Sequence, residues 1–129
     1  MSRYPSKVDH PAQQYYNPNL TAAEERALLR RNYLVLMTGQ AALGLIGADM
    51  LGIAVEGRLD AVVLHFAITT RTAAIEEDID DIAFGLRAFL AGGPEQHSPI
   101  ISRVHAGRPD ATWPGRSHTL LYLAKPQGE

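Results

Sequence analysis

The stretch LGIAVEGRLDAVVLHFAI, residues 51–68, decides how the rest of the chain is read. Leu51, Ile53 and Val55 alternate with Gly52, Ala54 and Glu56, and Val62, Leu64, Phe66 and Ile68 alternate with Val63, His65 and Ala67. A period of two marks strands with one buried face. The short, glycine-containing Glu56-Gly57-Arg58-Leu59-Asp60 between them predicts a hairpin. The period then changes: Ile75, Ile79, Ile82, Leu86 and Phe89, flanked by Ala83 and Leu90, recur at helical spacing. Thr70 or Thr72 can cap the start of this helix, and Gly92-Gly93-Pro94 stops it.

Upstream, Thr21-Ala22-Ala23-Glu24 has the spacing of a capping box, so an earlier helix should start there and end in the glycine-containing region 44–47. At about 100° per residue, Leu28, Leu29, Val35, Leu36 and Leu43 share one face, with Asn32 and Gly39 in its middle and Arg26 and Arg30 opposite. That face is the expected core side. Downstream, residues 100 to 105 and 118 to 125 read as two more strands, joined by a Gly, Pro and Asp-rich loop that carries the only tryptophan, Trp113. The order α-β-β-α-β-β predicts an α+β two-layer sandwich, with two helices on one face of a four-stranded, mostly antiparallel sheet. The other face should stay uncovered, with Trp113 as a lid on the sheet edge. Residues 1 to 20, punctuated by Pro5, Pro11 and Pro18, read as an irregular arm and residues 21 to 129 as a single domain.

The 129 residues include 46% hydrophobic and 20% charged side chains, the balance of an ordinary globular domain rather than a disordered segment. A net charge of -2 gives no global attraction to nucleic acid or an anionic membrane, and neither is expected as a partner. The absence of cysteine excludes thiol catalysis, a disulfide framework and thiolate metal sites. No apolar signal segment opens the chain, and the most apolar stretch, residues 41 to 55, is broken by Gly44, Gly47, Asp49 and Gly52. A cytoplasmic location is expected. No phosphate loop, nucleophile elbow or His-Glu-x-x-His motif is legible, so no catalytic residue, cofactor or metal is assigned.

Two constellations stand out. The second helix opens with Glu76-Glu77-Asp78-Ile79-Asp80-Asp81, five carboxylates in six residues. The helix dipole favours acids in a first turn, and a solvated face would account for most of the run. Phe84, however, falls about 180° from Ile75, in the middle of the polar face, with Asp81, Asp80 and Glu77 three, four and seven residues before it and Arg87 three after. An apolar anchor within a charged rim is the pattern of a protein-binding hot spot, and Glu76, Glu77, Asp80, Asp81, Phe84 and Arg87 form the candidate contact surface. Metal binding through Glu76/Asp80 or Glu77/Asp81 is a weak reading, because carboxylates on adjacent turns do not supply six oxygens.

The second constellation follows from strand parity. The face turned away from the helices should carry Ala54, Glu56, Val63, His65, Arg103, His105, His118 and Tyr122. Histidines beside an arginine can run acid–base chemistry, so a small enzyme or ligand-binding domain using His65, Arg103, His105 and Tyr122 is the alternative function. Ser117, His118 and Asp110 lack the relation expected of a triad. A homodimeric module joined through Val63, Ile101 and Leu120 on this face is a third reading.

In the run from residue 39 to 57 a glycine-broken helix end leads into Met50-Leu51-Gly52-Ile53-Ala54-Val55-Glu56. A second strand follows, then Thr72-Ala73-Ala74-Ile75-Glu76-Glu77-Asp78 and a last strand containing Tyr122. In element order this resembles the small α+β immunity proteins of contact-dependent growth inhibition and related bacterial polymorphic toxin systems. The likeness is one of pattern over about residues 25 to 125 and carries no residue roles. It implies a non-catalytic cytosolic protein that binds a cognate toxin, often a basic nuclease domain, and covers its active site or substrate cleft. An acidic surface suits such a partner.

Overall fold

The computed structural model describes residues 19–126, and all but Asn19 and Leu20 of the arm expected over residues 1–20 lies outside them. The elements are α1 (Ala22–Ala42), β1 (Met50–Arg58), β2 (Ala61–Ile68), α2 (Ala73–Leu90), β3 (Ile100–Ala106) and β4 (Thr119–Leu123). The sheet order is β3-β2-β1-β4. β1 runs antiparallel to β2 and β4, while β2 and β3 are parallel neighbours joined through α2. Among the described residues no helix is long and apolar enough to cross a membrane.

Both helices start as their capping residues dictate. The Glu24 amide donates to Thr21 Oγ1 at 3.1 Å and the Thr21 amide donates to Glu24 Oε1 at 2.8 Å, which completes the box. At α2 the Ile75 amide donates to Thr72 Oγ1. Positive φ at Gly44 and Gly92 turns the chain just beyond each helix, a conformation that side-chain-bearing residues resist. The hairpin is tighter than the sequence implies. Arg58 pairs with Ala61, so Glu56, Gly57 and Arg58 belong to β1 and only Leu59 and Asp60 form the turn.

One core lies between the helices and the sheet. Ile53, Val55, Val62, Leu64, Phe66 and Ile68 meet Ile75, Ile79, Ile82, Leu86 and Leu90 from α2, and Leu34, Ala41 and Ala42 from α1. Leu90, four residues after Leu86, takes the last core position of α2, and Phe89 is 46% exposed.

The expected core face of α1 is overturned. Its buried residues are Leu34, Thr38, Ala41 and Ala42, about 150° around the helix from the predicted stripe, and Leu29, Leu36 and Leu43 are exposed. The physical reason is the close approach of α1 to α2 near its end: a Cβ on Gly85 would lie 3.4 Å from Ala41 Cβ, so that crossing takes small residues, and Leu34 two turns earlier is the one large side chain that the buried face carries. Arg30, expected on the outer face, lies over the sheet end. Its Nε pairs with Glu95 Oε2 at 3.0 Å, its Nη1 donates to the Arg58 carbonyl at 2.8 Å, and a Cβ on Gly57 would meet Nη1 at 3.1 Å.

Two bulges break strand parity. One extra residue, Leu51, is inserted in β1 between the pairs Met50–Ile68 and Gly52–Ala67, so Met50 takes the core side and Leu51 packs with Ala54, Ala67 and Trp113. On β4, Tyr122 pairs with Ile53 and Leu120 with Ala54. Tyr122 therefore packs against the helix-side core, contrary to its expected place on the other face.

That other face is not left open. Trp113, 1% exposed, lies on its centre rather than at the sheet edge, against Ala54 and Ala67. A Cβ on Gly52 would lie 3.0 Å from its Cη2, so β1 needs glycine there for the indole to dock. The loop holds itself in shape: Asp110 Oδ1 accepts from the Thr112 amide and hydroxyl, and the Asp110 carbonyl accepts from the Trp113 amide. A short 3-10 turn, Pro114–Ser117, then carries the chain to β4. Val63, proposed for a self-interface, is fully buried, whereas Leu120 is 38% exposed.

Candidate functional site

Beside the Trp113 loop the structure joins three residues that the sequence shows apart. Antiparallel pairing sets Glu56 opposite Val63, which makes His65 its diagonal neighbour on the same face. Pairing of Val55 with Thr119 brings His118 to the same spot from the start of β4. His65 Nε2 lies 2.8 Å and His118 Nε2 3.3 Å from one oxygen, Glu56 Oε1. The imidazoles stack with centroids 5.0 Å apart and planes 11° from parallel. Arg58 holds the other oxygen, Nε to Oε2 at 2.7 Å.

Electrostatics follow from these contacts. The Arg58 hydrogen bond outweighs the opposing effect of burial and, helped by the His65 hydrogen bond and the nearby His118, holds the Glu56 carboxyl down at about 2. The site thus presents a fixed carboxylate whose Oε1 meets the Nε2 atoms of two stacked imidazoles. His65 is buried, while Glu56 and His118 also line a groove of about 1050 Å³ that runs past Ser117 and Thr119 to Arg30, Arg31 and Glu24 on α1.

The alternative enzymatic group does not assemble. Arg103 and His105 stay on the expected face, opposite His65 and Ala67 on the parallel strand, but Tyr122 is on the helix side and His65 is turned to Glu56. Asp110 is engaged with Thr112, and His118 is near Glu56, so no Ser117-based triad forms.

The α2 surface is as the helical wheel predicts in its exposure. Phe84 is 73% exposed, and Glu76, Glu77, Asp80, Asp81 and Arg87 are exposed around it. Glu76 Oε2 pairs with Arg71 Nη1 at 3.0 Å, leaving Glu77, Asp80 and Asp81 as the acids nearest Phe84 on the wheel. Leu29 and Leu36 of α1, seven residues apart, and Leu43 just past its end are exposed apolar residues that the sequence pattern assigns to the core.

In comparisons with known proteins, no family model matches the chain and no curated sequence is significantly similar to it.

Proposed function

We propose that the protein is an immunity-type binding protein of the cytoplasm, which neutralises a cognate bacterial toxin by covering its active site or substrate cleft. The observation that carries this reading is Phe84: a large aromatic side chain, 73% exposed on the outer face of α2, among Glu77, Asp80 and Asp81. A docked Phe would supply the desolvated anchor, and the acids would steer a basic nuclease domain and oppose unlike partners. The burial of Val63 and the helix-side placement of Tyr122 count against the self-interface and enzymatic alternatives.

The test is affinity capture from a lysate of the native cells with the tagged chain, alongside Phe84→Ala and a Glu77→Lys/Asp80→Lys/Asp81→Lys variant. Retention of a basic toxin domain in stoichiometric amount by the wild type, lost or weakened in both variants, is the expected result. Equal retention by the variants removes this surface. Failure to retain any protein from lysates of the native cells removes the immunity reading.

A further inference from the structure

We propose that Glu56, His65 and His118 form a binding site for one divalent transition-metal ion of the zinc class. The site lies on the sheet face opposite α2, so it stands or falls independently of the partner-binding surface.

Three observations carry the assignment. Each residue offers one ligand atom of a type that zinc takes, imidazole nitrogen or carboxylate oxygen, and these atoms lie within 4.8 Å of one another. They come from three separate segments, β1, β2 and the entry to β4, so the convergence is a product of the tertiary fold and not of one helix face. The ligands are also held from behind. Arg58 fixes Glu56 through Oε2 and leaves Oε1 turned to both imidazoles, as an outer-shell partner orients a ligating carboxylate. A Cβ on Gly115 would lie 2.7 Å from His65 Cβ, so the turn before β4 packs against the root of that histidine.

Binding needs a small rearrangement. Ligand bonds of about 2.0–2.2 Å in a tetrahedral site place donor atoms about 3.4 Å apart. The Glu56 contacts at 2.8 and 3.3 Å are already near that value, and since all three donor atoms lie within 4.8 Å of one another, no pair has to close by more than about 1.4 Å. The stacked rings must tilt for both Nε2 lone pairs to point at one ion. His118 can make that movement, because its side chain is 33% exposed while that of His65 is 4% exposed. Two imidazoles and one carboxylate oxygen leave a fourth position for water or a partner's side chain, and Glu56 and His118 both line the groove beside α1, which gives access to the site. The positive Arg58 next to the ion opposes binding, so affinity in the micromolar range is expected rather than that of a structural zinc finger.

The experiment titrates the full, chelator-treated chain with Zn²⁺ by calorimetry and with Co²⁺ by visible absorption, at neutral pH, with histidine side-chain NMR on the same samples. Expected results are one ion per chain, shifted His65 and His118 ring signals, and at least tenfold weaker binding in His118→Ala and Glu56→Gln. His97→Ala and His105→Ala should bind as the wild type does. No saturable binding, unmoved His65 and His118 signals, or unchanged affinity in His118→Ala would each overturn the site. The NMR readout on the wild-type protein stands even if a variant fails to fold.

Discussion

Gly115→Ala should be one of the most damaging single-methyl additions in the chain. The new Cβ would lie 2.5 Å from Trp113 Cζ2, 2.6 Å from Cε2 and 2.7 Å from His65 Cβ, where ordinary contact begins at 3.4 Å. The indole would have to retreat by about 0.9 Å, and the other clashing atom, His65 Cβ, is rooted in the β2 backbone and can yield only if the strand moves. Overpacking of a filled site costs about 1–3 kcal/mol, and a clash with resistance on both sides belongs at the upper end. At roughly 4 °C per kcal/mol for a domain of this size, Tm should fall by about 8–12 °C. If the loop swings away instead, the loss is bounded by the roughly 3–5 kcal/mol that burial of a tryptophan is worth, and red-shifted emission from the sole tryptophan reports it. Circular dichroism and fluorescence melts of the variant beside Gly47→Ala decide the matter. Gly47 has negative φ, and a Cβ added there would meet nothing within 4 Å, so its substitution should be neutral or stabilising by up to about 1 kcal/mol. A Gly115→Ala protein that melts within about 2 °C of wild type with unchanged emission would refute the packing argument.

Other outcomes follow from the same structure. Leu34→Ala should lose about 2–5 kcal/mol in urea unfolding, whereas Leu29→Gln/Leu36→Gln/Leu43→Gln together should change stability by less than about 1.5 kcal/mol; the reverse order would restore the sequence-based core face of α1. Thr21→Ala removes the hydroxyl acceptor of the Glu24 amide and should cost about 1 kcal/mol, read as fraying of the first turn of α1 by hydrogen exchange. The folded-state pKa of Glu56 is depressed from 4.5 to about 2, so the unfolded chain binds the extra proton between these values. Its stabilisation is present above about pH 4.5 and is lost as pH falls toward 2. Urea titrations in chelator at pH 5 and pH 3 should therefore show a smaller drop for Glu56→Gln than for wild type, and parallel losses would contradict the proposed linkage.

The elements were legible in the sequence because their signals are local. Period two in residues 51–68, helical spacing through Ile75 to Leu86, and the Thr21 and Thr72 caps need no knowledge of neighbours. The exposure of Phe84 is legible for the same reason, since α2 has one dominant apolar stripe and the aromatic lies opposite it. What failed depends on pairs of elements. The face α1 buries is set by how closely it meets α2 at Ala41 and Gly85, and its leucines misled because side-chain size was read without that partner. Single inserted residues at Leu51 and Leu121 reversed the facing of their neighbours, which alternation alone cannot register. Glu56 and His65 were both on the expected face, but the arrival of His118 required β4 to lie beside β1, and strand order has no local signature.

That strand order has a consequence for synthesis. β1 ends at Arg58, yet the strand that covers its outer edge begins at Thr119, about 60 residues later. At about 5–20 residues per second, a nascent chain carries a completed β1–β2 hairpin whose β1 edge stays bare for several seconds before β4 emerges. During that interval Gly52, Ile53, Ala54 and Val55 present backbone donors and acceptors to any other extended segment nearby. Ribosome-bound chains halted before residue 119 should accordingly be the most prone to associate with one another. The last strand is then a closing seal, and chain termination upstream of it would leave an adhesive fragment rather than merely a shorter domain.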